Sequence, residues 1–145
     1  MKLHRDIKIV IGIAIFAIVT LTAYWVIWLA APQFIQSRTP DAPDYAIYVA
    51  FQQAFPLADC YVAVAALIGI IGLYKMKSWG FLSMLLGSGG AIFLGLMDLL
   101  YDLEHKMFTP LNAESTMELI ILILTLSLGP IMSALLWKHR KEFLK

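Results

Sequence analysis

Polar and apolar positions along this chain separate into long blocks and show neither strict alternation nor short 3.6-residue periods. Four apolar blocks stand out: Ile7–Ala31, Ala54–Tyr74, Gly80–Tyr101 and Thr116–Trp137. Each holds about 21 to 25 residues, and a hydrocarbon core about 30 Å thick needs about 20 residues of α-helix. The short alternating strands of a membrane barrel are missing. The pattern predicts an all-α, polytopic membrane four-helix bundle. Residues 1–145 are expected to form a single transmembrane domain, with helices at 7–31, 54–74, 80–101 and 116–137 and a loop or interfacial segment at 32–53.

The connecting segments carry their own signals. Pro32 to Asp44 holds three prolines and two aspartates, so it is expected to be irregular and exposed. Tyr45–Phe55 is apolar around Gln52 and Gln53, and either lies along the interface or extends the second helix outward. Pro56 suits the first turn of a helix, where its missing N–H costs nothing. The segment 102–114 is polar and contains Pro110, and Ser115-Thr-Met-Glu118 reads as a capping box for the fourth helix. Gly129-Pro130 predicts a kink near that helix's middle. The stretch following Lys2, Arg5 and Lys8 exceeds a signal-peptide core, and Leu29-Ala30-Ala31-Pro32 makes a poor cleavage site, so the first helix is expected to be retained.

Composition agrees: 61% of residues are apolar and 14% charged, against about 25% charged in soluble domains. The distribution of charge adds orientation. Lys2, Arg5, Lys8, Lys75, Lys77, Lys138, Arg140, Lys141 and Lys145 fall on one side of alternating helices, and only Arg38 and Lys106 on the other. Short basic segments stay inside, which predicts a cell-membrane protein with both termini cytoplasmic. A single cysteine, Cys60, excludes an internal disulfide or a CxxC redox pair, and packing is its expected role. Trp25, Trp28 and Trp79 read as interface anchors.

Helical geometry then sorts the faces. On the third helix, Gly87, Ala91, Leu94, Asp98, Tyr101, Asp102 and His105 share one side, with Leu82, Leu85, Phe93, Leu96 and Leu100 opposite. The second aligns Tyr48, Gln52, Asp59, Ala63 and Ala66, the fourth Glu114, Glu118, Thr125 and Gly129, and the first Ile13, Thr20 and Tyr24. Small residues at Ala65, Gly69, Gly72, Gly87 and Ala91 favour close helix packing. Tyr24, Asp59, Asp98 and Glu118 fall at similar depth near the outer surface, and ionisable residues within membrane helices usually mark function. Glu118 and Asp59 each have a local explanation at a helix N-terminus. Asp98 does not: it sits toward the negative end of the third helix. Asp98 and Asp59 are therefore the candidate catalytic pair, with Tyr24, Gln52, Tyr101, Glu118 and His105 as candidate ligand-binding residues. Asp102 and His105 are expected at the water interface. Facing acids cannot both ionise cheaply, so the pair suits a shared proton, a cationic amine or a divalent metal. No residue set is singled out as a metal site, no cofactor is expected, and the absence of a mid-bundle histidine argues against haem held by two axial histidines.

The acid beside "FPLADCY", the acids of "LGLMDLLYDLEH", the aromatic outer loop and the kinked last helix before "WKHRKEFLK" resemble the layout of the EXPERA membrane family. That family includes the emopamil-binding sterol isomerase and the sigma-2 receptor. The resemblance implies a membrane pocket for sterols or lipophilic amines lined by carboxylates. The segment "FPLADCYVAVAALIGIIGLYKMKSWG" with "FLGLMD" also resembles small uncharacterised prokaryotic four-helix membrane proteins, a likeness that brings no function with it.

Three functions fit the residues. The first is an outward-opening acidic pocket for a small lipophilic or amine-like ligand, in its enzymatic form an isomerase. The second is an accessory or structural subunit docking through its small-residue stripes, and the third a proton- or cation-coupled transporter. The expected partners are the lipid bilayer and a lipid or amine small molecule, with no nucleic acid. The short chain is compatible with a homodimer.

Overall fold

A computed structural model describes residues 3–36, 38–109 and 113–144. Lys2, Lys145, Pro110 and the side chain of Glu114, which entered the charge, loop and stripe readings above, lie outside the described residues. The helices are α1 (Arg5–Ala30), α2 (Tyr45–Gln52), α3 (Pro56–Tyr74), α4 (Ser78–Glu104), α5 (Ala113–Lys138) and α6 (Arg140–Phe143), with a 3₁₀ turn at Pro32–Phe34. Among the described residues there is no strand. Four stretches, Arg5–Ala30, Tyr45–Tyr74, Ser78–Glu104 and Ser115–Lys138, are long and apolar enough to cross a membrane. The chain is thus an all-helical bundle of four candidate membrane spans. One end gathers the start of α1, the α3–α4 turn and the end of α5. The other, the loop end, gathers residues 31–36 and 38–44, α2 and residues 105–109 after α4.

The segment 45–55 extends the second span. Its backbone bonds run on past α2, with Gln53 donating to the Val49 carbonyl at 2.9 Å. They then tighten as Ala54 donates to Phe51 and Phe55 to Gln52, at 3.0 and 3.2 Å. Pro56 explains the break, because it has no N–H and its ring crowds the carbonyl four residues back, that of Gln52.

The closest packing joins α3 to α4. The turn between them closes as a Schellman motif. Met76 adopts a left-handed φ of 52°, its N–H bonds to the Leu73 carbonyl at 3.0 Å, and Lys77 N–H bonds to Gly72 at 2.8 Å. The helices then touch through backbone: a Cβ on Gly72 would fall 2.3 Å from Gly80 Cα, and one on Gly69 2.9 Å from Met84 Cβ. Ser83 Oγ donates across to the Ala65 carbonyl at 2.8 Å. Gly129 plays the same part in α5, where a Cβ would meet Ile92 at 2.7 Å and the Ser88 carbonyl at 3.0 Å, and Pro130 follows inside the helix.

Two apolar clusters hold the ends. Ile7, Val10, Ala14, Leu73, Phe81, Met84, Met132, Leu136 and Phe143 pack at the terminal end. Tyr48, Tyr101 and Met107 pack at the loop end with Trp28, Val49 and Phe51 around them. The expected α4 faces hold: Gly87, Tyr101 and Asp102 are buried, while Leu82, Phe93, Leu96 and Leu100 are exposed. Leu85 departs, packing partly against the terminal cluster.

Three further expectations are corrected. Thr20 is exposed because its hydroxyl bonds back to the Phe16 and Ala17 carbonyls at 2.9 and 3.1 Å and needs no interior partner. Cys60 is exposed on the outside of α3 rather than packed within. Finally, α5 opens at Ala113, so Ser115 lies inside its first turn and Glu118 in the second, beyond the position a capping box assigns it.

Candidate functional site

The loop end of α4 is fixed by a second Schellman motif. Lys106 takes a left-handed φ of 52°, and Met107 N–H bonds to the Asp102 carbonyl at 2.9 Å. Met107 is drawn into the cluster around Tyr48 and Tyr101, as the apolar contact of that motif requires. Arg38 closes over it: its Nε donates to Asp44 Oδ2 at 3.0 Å and its Nη2 to the His105 carbonyl at 2.9 Å. A guanidinium at a helix C-terminus also complements the helix dipole.

Asp102, whose carbonyl closes this motif, is 1% exposed; the expectation of a solvated acid is corrected. Asp102 lies one turn beyond Asp98 on the same face, and Glu118 of α5 meets both. One carboxylate oxygen from each of Asp98, Asp102 and Glu118 lies within 4.8 Å of the other two. Asp102 Oδ2 and the Tyr101 hydroxyl are buried and have no hydrogen-bond partner among the described residues. Three carboxylates at this spacing, Asp102 buried and Asp98 and Glu118 half-buried, repel one another unless a proton or a cation lies among them.

The other expected residues surround this cluster without all joining it. Asp59 is not one of the three; its Oδ2 accepts the indole N–H of Trp25 at 2.9 Å. Tyr24 donates to Gln52 Oε1 at 3.1 Å, linking α1 to α2. His105 is half-buried rather than free: it stacks on Tyr101 with ring centroids 4.0 Å apart, and its Nδ1 lies 3.0 Å from the Tyr101 carbonyl. Phe51 covers the other face of Tyr101 at 3.8 Å, nearly parallel. The three rings form one wall.

No protein-family model, curated protein or solved structure matches the chain. The chemistry of the site therefore stands on its residues. Beside Glu118, between α1 and α5, lies a cleft of about 40 Å³ lined by Tyr24, Phe34, Ile35, Met117, Glu118 and Ile121. It holds a group of a few heavy atoms and is otherwise apolar.

Sequence reasoning missed two members. Trp25 passes as an interface anchor, but it donates to an acid 34 positions away; only the facing of α1 against α3 reveals that. Arg38 gives no signal in an irregular loop, although it is one of only two basic residues on its side of the helices.

Proposed function

We propose that the chain is a cell-membrane protein with cytoplasmic termini whose acidic cluster binds the head group of a small lipophilic amine. What supports the orientation is the bias of Arg5, Lys8, Lys75, Lys77, Lys138, Arg140 and Lys141 to one end of the bundle, against Arg38 and Lys106 at the other, since short basic segments stay inside. The observation that carries the reading is the approach of Asp98, Asp102 and Glu118 to within 4.8 Å, with Asp102 Oδ2 buried and unpartnered among the described residues. An ammonium group supplies a donor for Asp102 Oδ2 and brings positive charge beside the carboxylates. The cleft beside Glu118 then takes the adjoining carbons against Phe34, Ile35, Met117 and Ile121. Its size suits a few alkyl carbons better than a fused ring system, so binding is favoured over isomerisation. The EXPERA-like layout points to the same ligand class.

The same oxygen spacing favours a second reading, a divalent cation held by three carboxylates, since oxygen ligands at about 2.3–2.6 Å surround Ca²⁺. One experiment separates them. The full chain in lipid nanodiscs is titrated with dodecylamine, with dodecanol, and with Ca²⁺ or Mn²⁺, following the thermal transition. Stabilisation by the amine well beyond the alcohol, lost in Asp98→Asn with helicity retained, is the expected result. Equal effects of amine and alcohol, or an amine effect unchanged in Asp98→Asn, would refute it; stabilisation by the metals alone would install the second reading.

A further inference from the structure

At the opposite end of the bundle, residues 133 positions apart come together outside the acidic cluster. His139, 8% exposed, lies between two carboxylates: its Nδ1 is 2.7 Å from Glu142 Oε1 and its Nε2 is 3.0 Å from Asp6 Oδ2. His4 lies against it, ring centroids 4.1 Å apart and planes tilted by 41°; its Nδ1 accepts the Asp6 N–H at 3.3 Å as the N-cap of α1 and lies 3.9 Å from Asp6 Oδ2. One ligand atom each from His4, Asp6 and His139 falls within 4.8 Å of the others.

Proton counting makes this arrangement unusual. A neutral imidazole has one N–H and can satisfy only one of two acceptors. With Nδ1–H given to Glu142, the Nε2 lone pair would face the Asp6 carboxylate at hydrogen-bond distance. Something positive must lie between them, either a second proton or a metal ion. The first part of that pattern, a carboxylate on one imidazole nitrogen aiming the other, is how metal-ligating histidines are oriented. The distances also fit. Bonds of about 2.0–2.1 Å in a tetrahedral zinc site separate neighbouring ligand atoms by about 3.4 Å, and the observed 3.0 and 3.9 Å bracket that value.

We propose that His4, Asp6 and His139 form a site for a divalent cation of the zinc type, with Glu142 orienting His139 and solvent completing the coordination. Two imidazoles and a carboxylate suit zinc and its neighbours better than Ca²⁺ or Mg²⁺. Access is through His4, which is exposed. Lys138 is the competitor: its ammonium holds Asp6 Oδ2 at 2.8 Å but its side chain is 65% exposed, so it can swing away as the ion enters. An occupied site would pin α1 to the end of α5 and α6.

The test is titration of the full, tag-free chain in detergent with Zn²⁺ by calorimetry, with Co²⁺ as a spectroscopic reporter. One ion per chain is expected, together with the visible absorption of tetrahedral Co²⁺. His4→Ala, which removes the imidazole and with it the N-cap of α1, is expected to weaken binding at least tenfold, with helicity as the check on the fold, and Glu142→Gln by about 10–100-fold. Lys138→Met is expected to tighten binding, which no merely structural role for Lys138 would produce. Absence of stoichiometric uptake, wild-type affinity in His4→Ala, or a Lys138→Met variant that binds no more tightly would each overturn the proposal.

Discussion

Substituting Gly72 with alanine probes the contact that sets α3 against α4. The added methyl would lie 2.3 Å from Gly80 Cα, 2.7 Å from Gly80 N and 2.6 Å from the Trp79 ring. Carbon atoms at rest are about 3.5–4.0 Å apart, so the helices must part by about 1 Å or more. The intervening turn offers no slack, because Met76 and Lys77 are bonded back to Leu73 and Gly72. Overpacking costs about 1–3 kcal/mol, and the obstacle here is backbone, which places Gly72→Ala at the upper end. Higher helix propensity returns about 1 kcal/mol. The net loss is about 2 kcal/mol, roughly a thirtyfold shift in the folding equilibrium. Reversible unfolding in mixed micelles, followed by helicity, measures it. Gly12→Ala and Gly89→Ala are the controls, since nothing lies within 4 Å of a Cβ at either position; both are expected to be neutral or stabilising. A Gly72→Ala variant as stable as Gly12→Ala would refute the reasoning. Gly80→Ala should cost a similar amount, and the double variant less than the sum, because one separation relieves both clashes.

Lys106→Gly relieves a left-handed backbone at the end of α4 and is expected to raise stability by about 0.5–1 kcal/mol in the same assay. Trp25→Phe removes the donor to Asp59 and is expected to cost about 1–3 kcal/mol, restored in the Trp25→Phe, Asp59→Leu double variant. Asp102→Asn removes a buried carboxyl group whose Oδ2 has no partner among the described residues; the expected outcome is a higher melting temperature without ligand and a smaller gain on adding dodecylamine. The hydrogen bond to Asp6, then that to Glu142, raises the pKa of His139 above its usual value. A raised value means the protonated latch is fully stabilising below about pH 6.5 and weakens as pH rises through the folded-state value. Thermal melts in metal-free buffer across that window are expected to lose stability with rising pH in the wild type, and to show a smaller dependence in His139→Gln, with Asp6, Glu142, His4 and Lys138 as the neighbouring charges.

Local pattern carried the spans, because a hydrocarbon core accepts a single segment only as a long apolar helix that satisfies its own backbone, and it carried the inward faces because polar and small residues in such helices turn away from lipid. Asp98 was legible for the same reason, as an acid at the wrong end of a helix dipole. What stayed hidden was non-local. Asp102 looks solvated at a helix end until the fold buries that end and Arg38 caps it. The start of α5 at Ala113 robs Glu118 of its simple capping role. His4, Asp6 and His139 read as scattered flanking residues, since nothing in a linear pattern relates positions 133 apart.

The cleft beside Glu118 has one more consequence. It lies between α1 and α5 with apolar, exposed Phe34 and Met117 at its rim, while Arg38 caps the end of α4. A ligand reaching the acids by that side passes through the bilayer, which then serves as its reservoir. The concentration that governs occupancy becomes the one dissolved in lipid. Each methylene added to an alkylamine would tighten apparent affinity about fourfold, at about 0.8 kcal/mol, without touching a residue of the protein.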